Sequence, residues 1–151
     1  MAKSTLNSVD AFLAQSAVAL IGASRLPHKF GNVILRELRA KGIRLYPVHP
    51  VAEVIDGVRC YSNLRMLPEP VGGVVICVPP DQAVTAVRDA AAAGIRHVWL
   101  QQGAESPDVA RLCIELGLDA VIGECILMFA KPHGIHRAHR ALAGMLGRLP
   151  R

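Results

Sequence analysis

A chain of 151 residues, 52% of them apolar, is one domain's worth and can bury a full core without disulfide staples. Its longest apolar runs are strand-length and end at Pro or Gly, which excludes a membrane helix, and the short polar start has no signal-peptide pattern, so a cytoplasmic protein is expected. The net charge of +5 lies entirely in residues 131–151, and aromatic residues make up only 4% of the chain, which argues against a nucleic-acid-binding face.

In chain order, Ser8 is expected to cap a first helix running to about Gln15. Ala17–Gly22 reads as a buried strand that breaks at one glycine and leads through a polar loop into a helix over Phe30–Lys41, with Gly42 as its stop. Ile43–Val48 is a second strand. Asp56-Gly57 is a turn signal, followed by a short strand over Val58–Tyr61. Gly73–Val78 is nearly all apolar, as a strand covered on both faces must be. Pro80 opens an Ala-rich helix over Asp81–Ala93, ended by Gly94. Ile95–Leu100 is a strand, Pro107–Leu116 a helix, and Leu118–Ile122 the last strand. Such alternation predicts an α/β domain over residues 1–130: a Rossmann-like, doubly wound, mostly parallel sheet of five or six strands. Residues 131–151 form an extension with Ile135, Ala138, Leu142, Met145, Leu146 and Leu149 at helical spacing and Arg137, Arg140 and Arg148 opposite. This added C-terminal amphipathic helix is expected to pack on the sheet, or else to meet a second copy or a protein partner.

Open parallel sheets bind ligands beyond the carboxyl ends of their strands. The strand–glycine–helix passage at Val18–Ser24 and beyond is a phosphate cradle in outline, because helix N-termini and outward N–H groups favour anions. The dinucleotide fingerprint G-x-G-x-x-G is absent: Gly22 is followed by Ala23-Ser24, and the next glycine is Gly31. The second strand ends Tyr46-Pro47-Val48-His49-Pro50, without the acid that grips the ribose hydroxyls of NAD. The G-x-x-x-x-G-K-[ST] loop is missing as well. Ser24, Arg25, His28, Lys29 and His49 offer instead the hydroxyl and cationic donors that suit a ligand with several phosphates.

Val18-Ala-Leu-Ile-Gly-Ala-Ser24, Tyr46-Pro-Val-His-Pro50, Ile55-Asp56-Gly57, Cys60-Tyr61, Val98-Trp-Leu-Gln-Gln-Gly-Ala104 and Gly123-Glu124-Cys125 occur in that order. The set resembles the small stand-alone CoA-binding proteins, whose domain is similar to the CoA-binding domain of the succinyl-CoA synthetase alpha subunit and of nucleoside-diphosphate-forming acyl-CoA synthetases. The resemblance covers about residues 16–130. It implies CoA or an acyl-CoA as ligand, with Gly22, Ala23, Ser24, Arg25 and Lys29 at the diphosphate. By the same resemblance, Pro47, His49 and Pro50 border the adenosine end, Val78, Pro79 and Pro80 line the pocket beside it, and Gln101, Gln102 and Gly103 lie near the pantetheine path. Many of those relatives carry Asn where His49 stands, and Asp-Arg where Gly123-Glu124 stand.

The expected function is a non-catalytic CoA carrier, sensor or subunit, since the phosphorylated-histidine and nucleotide-grasping domains of the synthetases do not fit in this length. The alternative is a nucleotide-dependent oxidoreductase or a thiol-transfer enzyme using Cys125, the one cysteine expected at a strand's carboxyl end on the ligand side. A nucleophilic thiol needs a cation, a helix N-terminus or a base, and Glu124 beside it works against that. Cys77 and Cys113 read as small buried hydrophobes, and the wide cysteine spacing argues against zinc or disulfides. His133, His136 and His139 lack the HExxH arrangement and are expected to hold no metal.

Overall fold

The computed structural model describes residues 4–130. The expected C-terminal helix, its basic face, the three histidines and any partner docking through them lie outside the described residues. Five strands, β1 (Ala17–Ile21), β2 (Arg44–Val48), β5 (Gly73–Ile76), β6 (His97–Gln101) and β7 (Asp119–Glu124), form one sheet in the order β2-β1-β5-β6-β7, every pair parallel. A separate two-stranded hairpin, β3 (Val54–Ile55) with β4 (Val58–Arg59), turns at Asp56-Gly57 as expected. Just after the hairpin, Tyr61 makes a parallel bridge to Val48 on the open edge of β2. The bridge stands where a sixth strand would lie. Counting it restores the order 3-2-1-4-5-6 of dinucleotide-binding folds.

Helices cover both faces, because each strand alternates its apolar side chains between them. Val18, Leu20, Val75, Trp99 and Val121 point to the face covered by α1 (Leu6–Leu13), α2 (Phe30–Ala40) and the turn at Ile126–Met128. Ala19, Val74, Ile76, Val98 and Leu100 point to the face covered by α3 (Pro80–Ala92) and α4 (Pro107–Glu115). On the first face Trp99 packs edge-on to Phe12, with ring centroids 5.4 Å apart, and against Phe129 at 5.8 Å, so the single tryptophan belongs to the core.

Several element ends shift by one or two residues, β5 stopping at Ile76 and β6 starting at His97 among them, and two shifts have a local cause. Thr5, not Ser8, caps α1: its hydroxyl accepts the Ser8 N–H at 3.1 Å. Either residue can cap, and burial of Val9 and Phe12 against the sheet sets the earlier start. The last strand runs on through Gly123 and Glu124, because the Glu124 carbonyl accepts the Trp99 indole N–H at 2.9 Å and carries the pairing past the expected end.

Candidate functional site

The switch point in strand order lies between β1 and β5, where one chain turns to each face. Gly22 leaves β1 with φ +128°, and a Cβ there would stand 2.2 Å from the Cys77 carbonyl oxygen at the end of β5. Only glycine fits. Gly31, in the first turn of α2, is equally confined: its Cβ would stand 2.2 Å from the Gly22 carbonyl oxygen. Gly31 therefore serves the close strand–helix packing that the third glycine of a dinucleotide fingerprint serves, at a longer spacing. Pattern matching missed it because the intervening loop is extended.

Within that loop the structure turns Ser24 inward. Its N–H donates to Asn32 Oδ1 at 2.8 Å, and its carbonyl accepts from Asn32 Nδ2 at 2.7 Å. Its hydroxyl oxygen accepts the Leu26 N–H at 3.0 Å. Asn32 is 0% exposed, a buried polar residue on the core face of α2 that the sequence reading passed over. The signal was an Asn in the first turn of a helix otherwise lined by apolar residues. With the Ser24 N–H engaged, the donors around the loop are its hydroxyl proton, the exposed side chains of Arg25, His28 and Lys29, and the first turn of α2. No side chain caps that helix and no acid stands in its first turn, so its positive end remains available to an anion.

Beside the loop a cleft of about 600 Å³ runs along α3. Ile21, Val48 and Val78 form its apolar floor, Gln82 and Thr85 stand along α3, and Pro50, Ser62 and Asn63 supply its other wall. Two predicted residues, Pro50 and Val78, lie in it. Pro47 is buried inside β2, Pro79 is exposed at the start of α3, and Pro80 is its first residue. Ser62, Asn63 and Thr85 were not anticipated, and Gln82 only as the end of the loop Pro79–Gln82 at a strand's carboxyl end. They come from the segment that replaces the missing edge strand and from one face of α3, and no motif marks either.

His49 sits at the cleft's rim, and its Nδ1 accepts two main-chain N–H groups, from Ala52 at 2.8 Å and Val51 at 3.1 Å. It folds the loop after β2 as an Asn side chain does in an Asx turn, which reconciles this histidine with the asparagine of the resemblance. Tyr46 faces away: its hydroxyl donates to Glu69, which also pairs with Arg44 at 2.8 Å, and that hydrogen bond raises the phenol's pKa.

The far half of the carboxyl edge is closed by side chains. Gln101 is 1% exposed and its Oε1 accepts the Ile126 N–H at 3.1 Å. Gln102 Nε2 donates to the Gly123 carbonyl at 3.2 Å, and the Gly103 N–H donates to Glu105 at 2.8 Å. Gln102 and Gly103 are exposed. Cys125 lies at the end of β7 as expected but is 8% exposed, in the cluster with Ile126, Leu127 and Phe129. Cys77, beneath Gly22, has its thiol pushed up to about 11 by burial and by the nearby Cys125. Among the described helices none is long and apolar enough to cross a membrane.

Known proteins share this architecture. Residues 16–131 match the CoA binding domain family. The ADP-forming acetate–CoA ligase II of Archaeoglobus fulgidus is 30% identical over 128 residues, which is 83% of this chain and 18% of the ligase. A conserved hypothetical protein of Pyrococcus furiosus superposes with a TM-score of 0.69 at 39% identity, over 74% of this chain and 96% of that one. A dinucleotide-forming acetyl-coenzyme A synthetase of Ca. Korarchaeum cryptofilum superposes with a TM-score of 0.60 at 31% identity, over 68% of this chain and 25% of the synthetase. The chain thus spans less than a fifth of the curated ligase it matches. A glycine-tight turn at the sheet's switch point, a carboxylate-free end to β2 and a family match over most of the described residues place this chain in the CoA-binding domain family.

Proposed function

We propose that this protein binds CoA or an acyl-CoA and acts as a carrier, sensor or subunit without completing turnover alone. The observation that carries the reading is the pairing of an uncapped, cation-flanked helix N-terminus with an apolar-floored cleft at the switch point. The diphosphate lies over Gly22–Arg25 and the first turn of α2, with Lys29 alongside. A purine fits the apolar floor of Ile21, Val48 and Val78, with Gln82, Thr85, Ser62 and Asn63 as polar partners for its edges. Pro50 borders the ribose, while His49 holds the loop that presents it. A 3′-phosphate on that ribose suits a β2 end whose first following acid in sequence is Glu53, with Arg65 and Asp89 the charged residues lining the cleft. Gln102 and Gly103, exposed beyond the end of β6, border the pantetheine path, while buried Gln101 holds the Ile126 N–H.

Calorimetric titration with CoA, dephospho-CoA, NAD and NADP tests this. CoA is expected to bind most tightly, and at a hundred times its dissociation constant to stabilise the fold by ~2.7 kcal/mol. Equal or tighter binding of NAD would overturn the reading.

A further inference from the structure

We propose that Asp56, Asn32 and Arg36 form a strut that sets the Gly22–Lys29 loop in its anion-receiving shape, a role that rests on reading that loop as the diphosphate site. Asp56 is the one described non-glycine residue with positive φ, at +49°, and it begins the two-residue turn between β3 and β4. Asn or Gly satisfies such a turn equally well as backbone. The carboxylate does something the turn does not need. Its Oδ2 accepts from Arg36 Nη1 at 2.9 Å and from Asn32 Nδ2 at 3.3 Å. Asn32 and Arg36 are one turn apart on α2, so a single oxygen bridges both.

Asn32 passes the constraint on. A carboxylate only accepts hydrogen bonds, so the amide must present its NH₂ group to Asp56. With that orientation set, Oδ1 meets the Ser24 N–H and Nδ2 also reaches the Ser24 carbonyl. A turn 24 residues away in sequence from Asn32 thereby fixes both main-chain groups of the residue at the middle of the ligand loop. Arg36 pairs with the carboxylate, which keeps a bare negative charge from standing behind an anion site. The Ile55-Asp56-Gly57 motif, which contributes no residue to the cleft, acquires a function as the anchor of the loop. Asp56, Asn32 and Arg36 are positioning residues, and none needs to touch the ligand.

Asp56→Gly and Asp56→Asn in the full chain test the strut, because both residues accept positive φ and leave the turn unstrained. CoA affinity is measured by calorimetry and exchange of the Ser24 amide proton by NMR. Asp56→Gly is expected to weaken CoA about fivefold and to speed Ser24 exchange by a similar factor. Asp56→Asn keeps an acceptor for Asn32 and is expected to hold CoA affinity to within about twofold. A lowered melting temperature in Asp56→Gly with CoA affinity and Ser24 exchange unchanged would reduce Asp56 to a plain fold residue and overturn the proposal. A change in only one of the two would also overturn it, since the loop is the stated route. Should the wild-type protein not bind CoA, the diphosphate reading fails by itself, and Ser24 exchange in Asp56→Gly still decides whether the strut exists.

Discussion

The two halves of the sheet's carboxyl edge are built on opposite plans. After β1 the main chain packs on main chain: Gly22 against the Cys77 carbonyl, Gly31 against the Gly22 carbonyl, with one buried amide holding the loop from below. After β6 and β7, side chains stitch one loop to the next: Trp99 to Glu124, Gln101 to Ile126, Gln102 to Gly123. The first plan leaves a helix N-terminus and a cleft open, while the second closes the edge. Glycine at positions 22 and 31 lets backbone approach backbone, so the turn after β1 is held by close main-chain packing and not by side chains laid across the edge.

The largest effect that could break this contrast comes from the glycines. Gly22→Ala must resolve a 2.2 Å contact with backbone at φ +128° and should cost about 3 kcal/mol or more by denaturant unfolding. Gly103 also has positive φ, at +96°, yet a Cβ there meets nothing within 4 Å, so Gly103→Ala should cost only about 1 kcal/mol. Equal losses would erase the distinction between the halves. A smaller effect separates the two buried amides. Asn32→Ala leaves both Ser24 main-chain groups unpaired and should cost about 2 kcal/mol, with CoA affinity falling about tenfold in the folded protein. Gln101→Leu should cost about 1 kcal/mol and leave CoA affinity within about twofold.

The thiols sharpen the picture through pH. Burial lifts Cys77 and Cys113 to about 11, above the value near 9 of a free thiol. A raised folded-state value means the stabilisation is complete below the unfolded value and is lost as pH climbs through the folded one. Stability should therefore fall between pH ~9 and ~11, and alkylation of Cys77 at neutral pH should be slow. Denaturation midpoints across that range and mass spectrometry of the alkylated protein check both. Smallest of all is His49→Asn: the amide oxygen reaches the same N–H groups, so stability should change by less than about 0.5 kcal/mol.

The alternation of apolar runs with helical segments made the layer order readable, and Gly42, Gly94 and Gly117 marked helix ends to within a residue or two. The glycine and the cations of the loop after β1 were legible in the sequence. The loop's construction was not. Asn32 bonds to Ser24 and Asp56 across separations of 8 and 24 residues, and no local pattern encodes a contact between a helix and a distant hairpin. The thiol alternative rested on Cys125 at a strand end, a position the structure does give it, but whether a thiol there meets solvent depends on how Ile126–Phe129 fold back over the sheet.

Residue order alone determined the α/β class, the strand that carries the glycine turn and the absence of a ribose-gripping acid, because these follow from periodicity and residue chemistry along the chain. Tertiary structure alone decided which half of the edge stays open, that Gly31 replaces a fingerprint glycine, and that Ser24 faces inward. Those depend on clearances between segments far apart in sequence, and a Cβ's room is a property of the neighbour it would meet.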